Sequence, residues 1–133
     1  MSDLPPHKLR ILIVEDDAVF RRGLARVFSA ERFDVAQASD GEQAVDLISH
    51  CRFTLMICDF RLPGINGLEL LRHARCTGQK SAFILVTAYN SEQLMKDARA
   101  QGVAAVVEKP IELKRLREQC EEILRRQGSS LMA

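Results

Sequence analysis

The feature that most constrains the fold is an alternation of short apolar runs with segments whose apolar residues recur at helical spacing. The runs are too short for helices and rich in β-branched residues, so they predict strands, four of them buried on both faces. The predicted strands are Leu9 to Val14, Asp34 to Ala38, Phe53 to Cys58, Ala82 to Val86 and Val103 to Val107. The second is shorter and more polar, which is typical of an edge strand.

The segments between the strands are amphipathic helices, each with one apolar stripe. The stripes are Phe20, Leu24, Val27 and Phe28; Ala44, Val45 and Ile48; Leu68, Leu71 and Ala74; Leu94, Met95 and Ala98; and Leu113, Leu116, Cys120, Ile123 and Leu124. The fourth helix, around Ser91 to Gln101, has the thinnest stripe, so we expect it to be the least firmly packed. Such alternation predicts an α/β domain, in which right-handed crossovers place helices on both faces of a parallel sheet.

Composition and length are those of one globular domain of 133 residues. We assign residues 1–8 to an N-terminal arm, 9–126 to the folded domain and 127–133 to a polar C-terminal tail. The net charge of +1 gives no support to direct nucleic-acid binding. Because there is no signal peptide, no bilayer-length apolar run and no C-x-x-C pair, we expect a reduced, cytoplasmic protein without membrane contact.

Polar side chains follow four of the five predicted strands, at the edge where open parallel sheets bind ligands. They are Glu15, Asp16 and Asp17 after the first strand, Asp59 after the third, Thr87 after the fourth, and Glu108 and Lys109 after the fifth. Taken singly, each has an ordinary structural explanation, such as a cap, a strand residue or a solvated charge. Their convergence on one edge favours a functional site, although Asp17 is better explained as the cap of the first helix.

The acidic residues predict a metal site with phosphate chemistry. If the first and third strands are neighbours, Glu15, Asp16 and Asp59 crowd together, and a divalent cation would relieve their repulsion. Ligands that are all oxygen favour Mg²⁺. Lys109 and Thr87 add the positive charge and the hydroxyl expected around a transferring phosphoryl group. Asp59, which stands alone after a buried strand and before a turn-rich loop, is the candidate nucleophile.

Four motifs in this order resemble the receiver domains of bacterial response regulators. They are I-L-I-V-E-D-D at 11 to 17, I-C-D-F-R-L-P-G-I-N-G-L-E-L-L at 57 to 71, L-V-T-A at 85 to 88 and V-E-K-P at 107 to 110. The resemblance covers about residues 9 to 126. It implies a chemotaxis-type, flavodoxin-like fold: a doubly wound parallel sheet of five strands in the order 2-1-3-4-5, flanked by five helices.

The same resemblance implies how the site works. Asp59 would accept a phosphoryl group from a histidine kinase, a phosphotransfer protein or a small donor such as acetyl phosphate. Asp16, Asp59 and the backbone carbonyl of Arg61 would bind Mg²⁺, with Glu15 acting mainly through water. The catalytic groups would be Asp59 with Thr87 and Lys109, which contact the phosphoryl oxygens. The resemblance also favours a cis bond before Pro110.

As a member of that family, the chain would catalyse only its own phosphorylation and dephosphorylation. Its output would be a change of the face formed by the fourth helix, fifth strand and fifth helix. The partner at that face would be a downstream protein or a fused effector domain, and phosphorylation could promote a homodimer.

Two departures from the family pattern affect signal output. The position three residues before Lys109, commonly Tyr or Phe in the family, is Val106, which has no ring to swing inward. Ile111 replaces a frequent Phe on the same face. We therefore expect phosphorylation to act mainly through the loop after Thr87 and the fourth helix. Arg61 and Tyr89, at positions that in the family set the dephosphorylation rate, are bulky and predict slow hydrolysis.

Two other functions remain open on sequence grounds. A metal-dependent phosphatase with an aspartyl nucleophile would need a substrate-covering insertion, and the chain has none long enough. A phosphate-independent, receiver-like interaction module would need no site residues, whereas this chain carries the whole set. Histidines His7, His50 and His73 have no partner at useful spacing, so a phosphohistidine relay is not expected.

Overall fold

The structure, a computed structural model, describes the backbone of residues 9–29 and 32–132 and the side chains of these residues up to Gln127. The predicted arm of residues 1–8 lies outside this part. Strands and helices alternate along the described chain. They are β1 (Leu9–Val14), α1 (Ala18–Val27), β2 (Phe33–Ala38), α2 (Gly41–His50), β3 (Leu55–Asp59), α3 (Gly67–Cys76), β4 (Ala82–Thr87), α4 (Glu92–Ala100), β5 (Ala105–Glu108) and α5 (Leu113–Met132).

The five strands form one parallel sheet in the order β2-β1-β3-β4-β5. The α/β class, the strand order and the edge position of β2 predicted above are therefore confirmed. The three central strands carry the longest buried apolar runs, because each is covered by helices on both faces. The prediction that β5 is also buried on both faces is wrong, because β5 is the other edge strand and only its Val107 is buried.

Alternate residues along each strand divide the core into two layers. Leu12, Met56 and Phe83 belong to the layer under α2, α3 and α4, and all three are fully buried. Ile11, Ile13, Leu55, Ile57 and Ile84 belong to the layer under α1 and α5. At the carboxyl ends of the strands, these buried apolar residues give way to the polar groups of the candidate site.

Local residue chemistry explains where three of the described helices start or end. Asp17 caps α1 by accepting hydrogen bonds from the backbone N–H groups of Val19 and Phe20, as predicted for it. Gly78 and Gly102, which follow α3 and α4, have φ of 88° and 80°, a left-handed conformation that favours glycine.

Two predicted strands begin later than their apolar runs, and one helix ends later. The backbone N–H of Phe53 donates to the side chain of Gln79, and that of Val103 donates to Ala98, so neither residue joins the sheet. The backbone of α5 remains helical past Arg126 to Met132, where the sequence analysis expected a tail. The ion pair between Arg126 and Glu122 stabilises the turn before this region, whereas Gly128, Ser129 and Ser130 are poorer helix formers, so helix propensity does not explain the extension.

Candidate functional site

Strand register brings four of the predicted site residues to one edge of the sheet. Val14 of β1 pairs with Cys58 of β3, so the residues after them, Glu15 and Asp59, are neighbours. Thr87 ends the adjacent strand β4 and pairs with Glu108 of β5, the residue before Lys109. The sheet itself therefore brings together residues that lie far apart in sequence.

The acidic cluster consists of Glu15, Asp16 and Asp59. Carboxylate oxygens of the three residues lie within 4.8 Å of one another. Glu15 is buried, Asp59 is partly buried and Asp16 is exposed, so the cluster opens to solvent on one side. Burial raises the pKa of Glu15 to about 7, opposed by hydrogen bonds from Lys109 and from the backbone of Asp17 and reinforced by the charge of Asp59.

Lys109 links two of these carboxylates. Its Nζ atom lies 2.5 Å from Oε1 of Glu15 and 3.3 Å from Oδ2 of Asp59. Burial alone would lower the pKa of Lys109, but the hydrogen bond that its ammonium group donates to Glu15 and the charge of Asp59 outweigh this effect, so the pKa is raised. The lysine is therefore held as a fixed positive charge beside Asp59. The peptide bond between Lys109 and Pro110 is cis.

The donor set of the acidic cluster fits Mg²⁺. Three carboxylates face one ammonium group, which leaves an excess of negative charge that a divalent cation would neutralise. All of the side-chain donors are oxygens, the ligands that this cation prefers. Glu15, Asp16 and Asp59 are therefore placed to hold such an ion, and the exposed side at Asp16 leaves room for its water ligands.

Thr87 does not direct its hydroxyl at a second site residue in this conformation. Its Oγ1 atom accepts a hydrogen bond from the backbone N–H of Tyr89 at 3.1 Å and donates to the carbonyl of the same residue at 3.2 Å. Because the side chain is buried, its hydroxyl forms these hydrogen bonds with its own loop instead of with water. The loop between β4 and α4 is thereby tied to the end of β4.

Arg61 and Tyr89 lie in the loops that follow β3 and β4. The guanidinium carbon of Arg61 is 5.1 Å from the centre of the Tyr89 ring, a cation–π contact that joins the two loops. Both residues are exposed, and the Tyr89 side chain is one of the most exposed large hydrophobic groups in the described part. The contact thus joins two bulky side chains, each two residues after a predicted site residue, Asp59 or Thr87.

Gly67 is a residue whose importance the sequence analysis missed. It begins α3 and its N–H donates to the carbonyl of Phe60 at 2.7 Å, which folds the loop back on itself. A Cβ atom at Gly67 would lie 2.8 Å from the backbone oxygen of Asp59 and 2.8 Å from the side chain of Leu85. Only glycine lets α3 start so close to Asp59. The turn-rich composition of the loop was the only sequence signal of this close approach.

Arg21 is a second residue that the sequence analysis did not identify. From α1, its Nη1 atom donates to the carbonyl of Glu15 at 2.8 Å, and its Nε atom donates to Gln37 of β2. The contact fixes the backbone directly after β1, where the acidic residues of the site begin. An arginine on an exposed helical face gives no local signal of such a role, because the contact depends on the strand order.

The surface around β5 lacks an aromatic side chain at position 106, as the sequence showed. Val106 is partly buried against the core layer that also contains Leu94 and Ala98 of α4. Ile111 packs against the opposite layer. Leu94 and Ala98 are the buried residues of α4, the same number as in α1 and fewer than the five of α3.

Among the described helices, none combines the length and the apolar character needed to cross a membrane.

Together, the order of the strands and the lysine-bridged acidic cluster at their carboxyl edge define a chemotaxis-type α/β signalling domain. The chain belongs to the response regulator receiver domain family, whose model matches residues 11–121. Family membership assigns it to two-component, phosphorylation-type signalling.

The relatives and solved structures support this assignment. The chain is 39% identical over 110 residues to the Regulator of RpoS from Escherichia coli, a match that covers 82% of this chain and 33% of that protein. It is 29% identical over 115 residues to Sporulation initiation phosphotransferase F from Bacillus subtilis, covering 86% of this chain and 93% of that one. A CheY-like receiver domain from Methanospirillum hungatei superimposes with a TM-score of 0.86 at 28% identity, over 93% of this chain and 99% of the other. The chain thus spans about a third of the length of some curated relatives that it matches.

Proposed function

We propose that this chain is a phosphorylation switch in which Asp59 accepts a phosphoryl group in the presence of Mg²⁺. The observation that supports it most is the position of Lys109, whose ammonium group bridges Glu15 and Asp59 at the carboxyl edge of the sheet. A carboxylate held beside a fixed cation and an acidic metal-binding cluster is suited to attack phosphorus.

In the proposed reaction, a carboxylate oxygen of Asp59 attacks the phosphorus atom of a phosphohistidine in a histidine kinase or a phosphotransfer protein. A P–O bond forms, the P–N bond breaks, and the imidazole leaves with its electron pair. Lys109 neutralises charge on the phosphoryl oxygens, and Thr87 donates a hydrogen bond to one of them once its hydroxyl leaves Tyr89. Mg²⁺, bound by Asp16, Asp59 and the carbonyl of Arg61 with Glu15 acting through water, would offset the negative charge of donor and acceptor.

The proposed output is a rearrangement of the face formed by α4, β5 and α5. The hydroxyl of Thr87 can bond either to its own loop or to a phosphoryl oxygen, so phosphorylation would release the contact with Tyr89. Since Val106 has no ring to turn inward, the loop after Thr87 and α4 would carry the change. A comparison of hydrogen exchange with and without beryllofluoride tests this, and unchanged protection from Thr87 to Gln101 would contradict it.

Partners and location follow from the same proposal. The chain would receive its phosphoryl group from a histidine kinase or phosphotransfer protein, in the cytoplasm, where its four unpaired cysteines stay reduced. It would signal to a downstream protein or to an effector domain fused to it, and a phosphorylation-dependent homodimer is compatible with this face. Its catalysis would be confined to forming and hydrolysing its own acyl phosphate.

Phosphorylation by acetyl phosphate with Mg²⁺ tests the proposal. The wild type should gain one phosphoryl group, seen by intact-protein mass spectrometry, and Asp59→Asn should gain none. The matched control is Asp34→Asn, at an exposed aspartate of the edge strand β2 that lies outside the site and should be phosphorylated like the wild type. A wild type that takes up no phosphoryl group and does not bind beryllofluoride would instead favour a phosphate-independent interaction module.

A further inference from the structure

The aromatic ring of Phe20 contacts the ammonium group at the centre of the site. Phe20 lies in the first turn of α1, anchored by the hydrogen bond from its N–H to the cap Asp17. The Nζ atom of Lys109 is 4.8 Å from the centre of its ring. The same Nζ atom donates hydrogen bonds to Glu15 and Asp59. Side chains from three separate parts of the chain therefore surround one ammonium group.

The chemistry of this contact differs from simple apolar packing. The face of an aromatic ring carries a negative quadrupole that attracts a cation, whereas an aliphatic side chain would only remove water from it. The attraction is stronger where the ammonium is partly removed from solvent, and the Lys109 side chain is only 23% exposed. Phe20 also packs against the core layer under α1 and α5, so its ring is held in place.

The carboxylates and the ring hold Lys109 under different conditions. The ammonium lies closer to Glu15, at 2.5 Å, than to the proposed nucleophile Asp59, at 3.3 Å. When Glu15, Asp16 and Asp59 share their charge with a bound cation, their attraction for the ammonium weakens. The attraction between the ring and the ammonium does not depend on carboxylate charge, so it persists during the proposed phosphoryl transfer.

We propose that Phe20 is a positioning residue for Lys109, which keeps its ammonium group at the site while the carboxylates are engaged elsewhere. The proposal rests on the function proposed above, because the lysine is positioned for phosphoryl transfer. It predicts that the ring face, not the apolar volume, is what matters at position 20.

The test compares Phe20→Leu, which keeps an apolar side chain without a ring, with Phe20→Tyr, which keeps the ring. With acetyl phosphate and saturating Mg²⁺, we expect Phe20→Leu to be phosphorylated roughly three- to tenfold more slowly and Phe20→Tyr at nearly the wild-type rate. The ε-methylene protons of Lys109, assigned by their loss in Lys109→Arg, should be shifted upfield by the ring in the wild type and in Phe20→Tyr, but not in Phe20→Leu.

A further pair of variants separates positioning from packing. If the ring holds the ammonium, the decrease in melting temperature caused by Phe20→Leu should be smaller in a Lys109→Met background than in the wild-type background. An equal loss in both backgrounds, a wild-type phosphorylation rate in Phe20→Leu, or an unshifted Lys109 ε-methylene in the wild type would each overturn the proposal. A wild type that takes up no phosphoryl group would refute the proposed function, whereas the methylene shift and the two backgrounds would still decide whether Phe20 positions Lys109.

Discussion

Replacing Gly67 with alanine should damage both the stability of the domain and the geometry of Asp59. The added Cβ would lie 2.8 Å from the carbonyl oxygen of Asp59, 2.8 Å from Cδ1 of Leu85 and 3.2 Å from Cα of Phe60. Two of these three atoms belong to the backbone at the end of β3, which cannot rotate away as a flexible side chain can. The start of α3 and the end of β3 must therefore move apart by several tenths of an ångström.

The expected cost is that of overpacking a closely packed site, about 1–3 kcal/mol of the free energy of unfolding. Alanine is a better helix former than glycine, but Gly67 occupies only the first position of α3, so this gain is small. For a domain of this size, the loss corresponds to a fall of roughly 4–12 °C in melting temperature. Because the contact is with the backbone of Asp59, phosphorylation by acetyl phosphate should also slow.

The matched control is Gly64→Ala in the same loop. Gly64 has a φ of 92°, so alanine there is strained by about 1 kcal/mol, yet its Cβ would meet no atom within 4 Å. Thermal denaturation and phosphorylation kinetics should show a modest loss of stability with a normal rate for Gly64→Ala, and a loss of both for Gly67→Ala. If Gly67→Ala were as stable and as rapidly phosphorylated as the wild type, the close approach of α3 to Asp59 would have no functional role.

Three further predictions concern the opposite end of the sheet, the metal and the phosphoryl lifetime. Gln79→Leu removes the buried amide that is hydrogen-bonded to three backbone groups, so it should lower the free energy of unfolding by about 2–4 kcal/mol in urea denaturation. An equal loss for Gln101→Leu, whose side-chain oxygen has no hydrogen-bond partner in the described part, would contradict this. Mg²⁺ at about 100 times its Kd should stabilise the wild type by about 2.7 kcal/mol, and calorimetry should show a much smaller effect for Asp16→Asn; equal stabilisation would exclude Asp16 as a ligand. Arg61→Ala and Tyr89→Ala should shorten the phosphoryl lifetime by roughly two- to fivefold, since each removes the contact between the two loops; a longer lifetime would refute the shielding role.

Most of the architecture could be predicted from the sequence because hydrophobic periodicity is a local property. The run from Leu9 to Val14 forms β1 with the predicted bounds, since nothing competes with the sheet for its backbone. The start of β3 could not be predicted, because the N–H of Phe53 is taken by Gln79, a residue 26 positions away. Similarly, no local pattern shows that Val103 closes the turn after α4 instead of opening β5.

The candidate site was predictable for the residues that end strands and not for those that reach it from helices. Asp59 and Lys109 follow apolar runs, so the sheet determines where their backbones lie. Phe20 resembles any other core residue in the stripe of α1, and its contact with Lys109 depends on how that helix crosses the sheet. The hydrogen bonds of the Thr87 hydroxyl to the backbone of Tyr89 could not be predicted either, because they depend on the conformation of the loop after β4.

The most direct test of the central claim is to locate the phosphoryl group chemically. Borohydride reduces an aspartyl phosphate to homoserine, so protein treated with acetyl phosphate and Mg²⁺ can be reduced, digested and sequenced by mass spectrometry. The proposed function predicts homoserine at position 59 in the wild type and at no position in Asp59→Asn. Homoserine at another aspartate of the wild type, or its absence despite bound phosphate, would contradict the assignment of Asp59 as the phosphoacceptor.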